Sequence, residues 1–508
     1  MDKNIKYSFL ENLFNKILDY IRHYKVPILS SSFTALTAYM FMFTNKIINW
    51  DDLQYLFAKG GTLTSGRWGL CILEYIFPNY SMPWLWGVVS CVLLIIAICI
   101  IIDVFKIENK FLQGFLAAII IAFPSEIGTF FYMFTSTSYA IAFLLAVLAV
   151  RLYLNSGVIW KIAGVLCAVF SMGIYQAYIA ITASFFVLLL IKDLLSSEKD
   201  WLTVIKDGIK FVVYLLIIGC IYYGVTTVVL NITGNELNSW ATKATSDSSG
   251  ILNRIIRSWK LFAAMVLLRE YGLETTTLSC IAHIVFLAFT GLISLLVLIK
   301  KKNIFKFLLF GVLAVVALPL SINCLVILIG EEGVHALTLY SFISVYIFGA
   351  IVIDILKTEK GKNILKDLIY VLLCIIIVSN IYVANKSYLK QYLIYENTFS
   401  FYQSIITQVQ QTPGFDEKSK LVVLGNIEKD SSYLENFGDD TIYGLCGFKG
   451  ESISDEFITY YLGFDIPIAS EEEKAMLINK EDVKNMPTYP YYGYIQEIDD
   501  YIVVKIGN

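Results

Sequence analysis

Charge is scarce in this sequence. Asp, Glu, Lys and Arg make up 16% of its 508 residues, where a soluble chain of that size carries about a quarter. With 57% hydrophobic residues and a mean hydropathy of +0.67, the deficit excludes an ordinary soluble protein. A cleavable signal peptide is missing as well. The first apolar run is long and follows the basic residues 1–26, so it reads as a retained anchor. Cysteine is not rare, but seven of the nine fall in apolar runs and only Cys71 and Cys446 lie elsewhere. That argues against a disulfide framework and for thiols that behave as small hydrophobes. The net charge of −3 averages unlike compartments and carries no partner information; nothing points to nucleic acid.

What is abundant is apolar length. Runs suited to a bilayer, about 17–25 residues each, fall at 27–48, 83–105, 111–124, 136–154, 159–173, 175–195, 211–230, 277–299, 304–329, 336–356 and 365–384. The reading is an all-α polytopic membrane protein of about eleven transmembrane helices, with Pro124 and Ser125 opening a re-entrant or broken segment. Lys and Arg concentrate in alternate loops, including Lys106, Lys110, Arg151, Lys161 and the cluster Lys300–Lys302. The positive-inside bias then puts the N-terminus in the cytoplasm of a plasma-membrane protein. An odd number of spans places residues 385–508 outside. This tail reads as a small extracytoplasmic α/β domain. A helix over 387–410 continues the last span, a strand over Leu421–Leu424 ends at Gly425, and a hairpin turns at Asp499-Asp500. Its role is covering or acceptor recognition, or that of a structural cap.

The chemistry-bearing stretch lies in the loop 49–82: Asn49-Trp50-Asp51-Asp52, then Thr64-Ser65-Gly66-Arg67-Trp68-Gly69. A carboxylate there can take the proton of an acceptor hydroxyl, and an arginine presents a planar donor fork to phosphate. The plainer alternative makes Asp51 the N-cap of a short helix beginning at Leu53 and Arg67-Trp68 an interfacial anchor.

The acidic pair followed by Ser-Gly-Arg-Trp resembles the first outer loop of the GtrII-type glucosyltransferases, of the GT-C class. Ser171-Met172-Gly173-Ile174-Tyr175-Gln176-Ala177-Tyr178 is similar to a Gly-Ile-Tyr-Gln segment of the same family. The resemblance implies a GT-C-like membrane domain over 27–384. It also implies a polyprenyl-phosphate-linked sugar donor, with glucose the expected sugar, and a surface-polysaccharide acceptor. Asp51 or Asp52 is then the base and Arg67 a donor-phosphate contact. A late-span arginine expected from the family is missing; Glu331-Glu332-Gly333-Val334-His335 stands there, and His335 is the substitute phosphate contact.

A second basic group lies in the loop 231–276. Arg254, Arg257 and Lys260 recur every three residues beside Ile255, Ile256, Trp259 and Phe262. This is the pattern of a helix in the membrane interface, and it suits either donor-phosphate binding or headgroup attraction. Trp68, Glu126, Tyr175 and Gln176 are candidates for holding sugar or acceptor, although a turn needs the same Tyr-Gln pair. His283, on an apolar helix, reads as a satisfied buried residue. No cofactor is required, and Mg²⁺ or Mn²⁺ at the carboxylate pair is an option. A lipid-linked oligosaccharide polymerase and a flippase are the competing functions. A flippase calls for ionisable residues within spans or for interrupted helices.

Overall fold

The computed structural model describes residues 8–54, 62–77, 80–196, 199–238, 250–268, 275–330, 334–356, 363–416, 418–427, 432–437, 449–450 and 454–507. Glu331–Gly333 and Cys446 of the sequence reading lie outside them. Among the described residues nine helices are long and apolar enough to cross a membrane: Lys25–Thr44, Pro83–Phe105, Lys110–Phe131, Met133–Tyr153, Gln176–Ser196, Trp201–Thr233, Thr277–Lys300, Ile304–Ile322 and Ile364–Gln410. The two other expected spans coincide with shorter apolar helices, Val158–Ile174 and Tyr340–Ile355. Nine segments, rather than eleven, thus reach the roughly 20 residues that a bilayer core asks of a helix.

Polar residues start the helices. Asn109, Asp200, Thr276 and Asn303 each accept a backbone N–H two or three residues ahead, meeting donors that a helix start leaves free. Asp200 explains why the span expected at 211–230 begins ten residues earlier, as the 33-residue helix Trp201–Thr233. Helix Val158–Ile174 lies close against Met133–Tyr153. A Cβ on Gly164 would stand 2.9 Å from the Ala149 carbonyl oxygen, so only glycine permits that approach.

Two helices break inside the bundle. Pro124 has no N–H to offer Ile120, so helix Lys110–Ile121 ends and the chain restarts as Pro124–Phe131. The freed carbonyls find tyrosines: Tyr340 Oη donates to Ile120 O at 3.0 Å and Tyr39 Oη donates to Ile121 O at 2.6 Å. Without such partners, buried backbone groups would be costly in an apolar interior. The span expected at 304–329 is divided as well, by a π-turn at Leu313–Ala317 and a second break at Asn323. Trp259 Nε1 donates to Val315 O at 2.8 Å, and Asn323 and Ser258 exchange hydrogen bonds. Helix Ile251–Leu268 is therefore docked on the broken span through Ser258, Leu261 and Met265, while Ile251, Leu252 and Trp259 remain exposed.

The C-terminal residues grow from one continuous helix, Asn363–Gln410, of 48 residues. Strand β1 (Lys420–Leu424) pairs in parallel with β3 (Tyr501–Lys505), which pairs antiparallel with β2 (Ile495–Ile498). The hairpin turns at Asp499-Asp500, with Asp499 in the left-handed region, and β1 ends at Gly425, also at positive φ. The core beneath this sheet is shared. Ile48 and Leu53 are buried with Ile394, Tyr395, Tyr402 and Phe457, and Gln391 Nε2 donates to Ile48 O at 3.0 Å. The segment carrying Asp51 and Asp52 is thus held between the bundle and the C-terminal domain.

Candidate functional site

The acidic pair is fixed at a helix start by reciprocal bonds with Asn49. Helix Trp50–Gln54 starts three residues earlier than expected, and its cap is Asn49, not Asp51. Asn49 Oδ1 accepts the Asp51 N–H at 3.1 Å, while Asp52 Oδ2 accepts the Asn49 N–H at 2.7 Å. The second is the return bond of a capping box, while the first goes one residue short of it, to the second helical amide. The other Asp52 oxygen accepts the Ser81 hydroxyl. Asp52 is 3% exposed, and burial pushes its pKa up to about 7 against the lowering effect of Ser81 and the Asn49 amide. Asp51 is half-buried, and its carboxylate accepts no hydrogen bond among the described residues. Burial raises its pKa and the Arg67 charge opposes the rise. Successive helical residues diverge by about 100°, so the two carboxylates serve different surroundings.

Arg67 follows a tight turn. Its N–H donates to Thr62 O at 2.8 Å and Gly66 takes φ +71°. A Cβ on Gly66 would stand 3.0 Å from Tyr222 Oη. That crowding comes from three side chains pinning the turn. Gln176 Nε2 donates to Ser65 O at 2.7 Å, Tyr222 Oη donates to Gly66 O at 3.0 Å, and Asn238 Nδ2 donates to Ser65 Oγ at 3.0 Å. The Arg67 guanidinium lies 4.6 Å from the centroid of the Tyr175 ring and donates to Tyr139 Oη at 3.4 Å. Its Nε is buried and without a partner among the described residues. Tyr139 and Tyr175 stack at 4.7 Å, and the Tyr175 hydroxyl meets His335 Nε2 at 3.3 Å. Asp51, Arg67, Tyr175 and His335 therefore belong to one cluster.

The two stretches that carried the resemblance interlock. A Cβ on Gly173 would stand 2.6 Å from the Trp68 ring, and one on Gly69 would stand 2.8 Å from the Gly173 backbone. Trp68 also packs on Phe170 at 5.8 Å. Trp68 and Gln176 are thus construction elements of the arginine turn.

The remaining candidates are placed apart. Glu126 is not a solvated residue at a membrane exit. It is 2% exposed, within the first turn after the Pro124 break, and its Oε1 is buried without a partner among the described residues. It connects to the cluster through Tyr178, whose ring is 5.8 Å from that of Tyr175. Arg254 is half-buried, and Arg257 and Lys260 are exposed, on the docked helix Ile251–Leu268. That helix approaches the 3₁₀ turns following His335 through Phe262 stacked on Phe342 at 5.5 Å. His283 is buried against Tyr346, 3.1 Å from its hydroxyl. No group of three or more His, Cys, Asp and Glu side chains forms a metal-ligand set among the described residues.

Sequence reasoning missed Asn49, Ser81, Tyr139, Tyr222 and Asn238. Asn49 was available, since Asn is a favoured residue at a helix start. The two tyrosines sit in apolar spans where no spacing separates them from core residues. The chain matches the family described as glucosyl transferase GtrII over residues 39–353. No curated protein and no solved structure matches it.

Proposed function

The chain belongs to the glucosyl transferase GtrII family, and from that membership in a group of membrane glucosyltransferases we propose a site and a direction for the transfer. A glucosyl group leaves a polyprenyl-phosphate carrier at the outer face of a plasma membrane and joins a hydroxyl of a surface polysaccharide, with the N-terminus cytoplasmic and the fold of GT-C type. Asp51 takes the proton of the attacking hydroxyl. The acceptor oxygen bonds to the anomeric carbon, the bond from that carbon to the phosphate oxygen breaks, and the carrier departs as the phosphate monoester. Arg67 receives the charge developing on the leaving phosphate, where fixed donors in a water-poor site act most strongly. His335 and the helix carrying Arg254, Arg257 and Lys260 complete the donor side, while Asp52 holds the loop. Glu126 is set too deep for a direct part in holding sugar.

The observation that carries this reading is the asymmetry of the pair. Asp51 lies within electrostatic reach of Arg67 and its carboxylate accepts no hydrogen bond among the described residues, whereas both oxygens of Asp52 are engaged. The test is glucose transfer by the purified protein in nanodiscs, from polyprenyl-phosphate glucose to surface polysaccharide. Labelled polymer is the expected result. A folded protein that transfers from none of a panel of lipid-linked donors contradicts the proposal.

One observation favours a flippase as the second reading. A buried carboxylate, Glu126, whose Oε1 has no partner among the described residues, stands beside an interrupted helix, and a second helix is interrupted at Leu313–Ala317. Lipid-sugar translocation without transfer in proteoliposomes would select it.

A further inference from the structure

A cleft opens beside the acidic loop. Its volume is about 460 Å³, within the range of small-molecule sites. It lies where helix Lys25–Thr44 ends and Pro83–Phe105 begins, and the C-terminal domain closes it with Tyr460 and Tyr461. The floor is apolar, made by Phe43, Met82 and Leu85. At the rim the Lys46 ammonium stands 4.3 Å from the centroid of the Tyr461 ring, and it forms no ion pair among the described residues. Trp84 and Tyr460 are exposed beside it, at 57% and 46%. Ser81 lines the cleft and donates to Asp52, so the cleft abuts the loop that carries Asp51.

An apolar floor that continues onto exposed span residues, under a cation that forms no ion pair among the described residues and is flanked by aromatic rings, fits an amphiphile with an anionic head. A free polysaccharide has no use for the floor, and an apolar lipid has none for the cation. We propose that this cleft binds the phosphate headgroup and first apolar units of a polyprenyl phosphate, with Lys46 as the phosphate contact and the C-terminal domain as its closing wall. It is a station separate from the Asp51–Arg67 cluster, where the carrier waits before reaction or departs after it. The inference rests on the lipid-phosphate donor proposed above. It also gives the C-terminal domain a part in binding rather than that of a distant cap.

The test measures retention of sugar-free polyprenyl phosphate by the full-length protein in nanodiscs, using native mass spectrometry, together with transfer kinetics on the same samples. Lys46→Gln is expected to weaken retention about tenfold, as loss of one charged hydrogen bond does. KM for the lipid donor should rise with little change in kcat, and Lys46→Arg should restore both. Inorganic phosphate and phosphatidylglycerol, offered as competitors, should displace little of the bound lipid. Equal retention by wild type and Lys46→Gln overturns the proposal. So does full displacement by either competitor, which would reduce the cleft to an anion contact or to a patch for bulk headgroups. Absence of transfer with Lys46-dependent retention would instead count against the enzymatic reading alone.

Discussion

Two regions of the chain use the same local device with opposite results. In the C-terminal domain Ser470 and Glu473 form a capping box at helix Glu471–Ile478. At the membrane end of the bundle Asn49 caps Trp50–Gln54 through the Asp51 amide, and Asp52 returns a bond to the Asn49 amide. Glu473 also meets Lys420 at 2.5 Å and the Tyr501 hydroxyl at 2.8 Å, and these bonds with the Ser470 amide bring its pKa down to about 2. Asp52 has the backbone bond and Ser81 but no cation among the described residues, and it is buried, so its pKa moves the other way. Hydrogen-bond geometry alone therefore does not set the charge of a capping carboxylate; access to water and the presence of a cation do. The comparison also isolates Asp51. Once Asp52 is accounted for as the partner of the Asn49 cap, Asp51 is the carboxylate of the pair left for chemistry.

The account can be broken first at that residue. Asp51→Asn is expected to lower kcat by about 10²–10⁴, the usual cost of removing a general base, with folding intact by near-UV circular dichroism. Arg67→Gln comes next, at about 10²-fold in kcat for loss of one fixed donor to developing charge. It carries a second signature. Arg67 lowers the pKa of Asp51, so its removal should move the acid limb of the pH–rate profile to higher pH. Asp52→Asn should affect rate less than either, and it sharpens the contrast between the two helix starts. A carboxyl with a folded pKa near 7 stabilises the protonated fold, and that contribution fades as pH rises from about 4 to about 7. The variant should flatten this part of the thermal-midpoint curve. Glu473→Gln is expected to do least, because exposed pairs contribute little. Its slope has the opposite sign: stability is lost as pH falls from about 4.5 towards 2, and the variant should remove that loss.

Much of this was legible in the sequence. Apolar length located the spans, and Pro124 announced the first break. The Asp499-Asp500 hairpin, the strand ending at Gly425 and the helix running on from the last span followed from turn chemistry and periodicity. The π-turn at Leu313–Ala317 was not legible, because its partner Trp259 is more than fifty residues away in sequence. The site was half legible. Arg67, Tyr175 and Asp51 were found as separate signals, but their union depends on the interlock of Trp68 with Gly173, a contact between distant segments. The tyrosines around Arg67 carry the signal of core residues, and the sequence gives no reason to single out Tyr139. Whether Asp51 or Asp52 is free is decided by Ser81, which spacing from the pair does not reveal.

The central claim is the division of labour within the pair, and the most direct test compares Asp51→Asn with Asp52→Asn for kcat in the same nanodiscs with the same lipid-linked glucose. The account predicts that Asp51→Asn is slower by at least about tenfold while both variants remain folded. Equal rates, or a slower Asp52→Asn, would contradict it and return the role of base to the buried carboxylate.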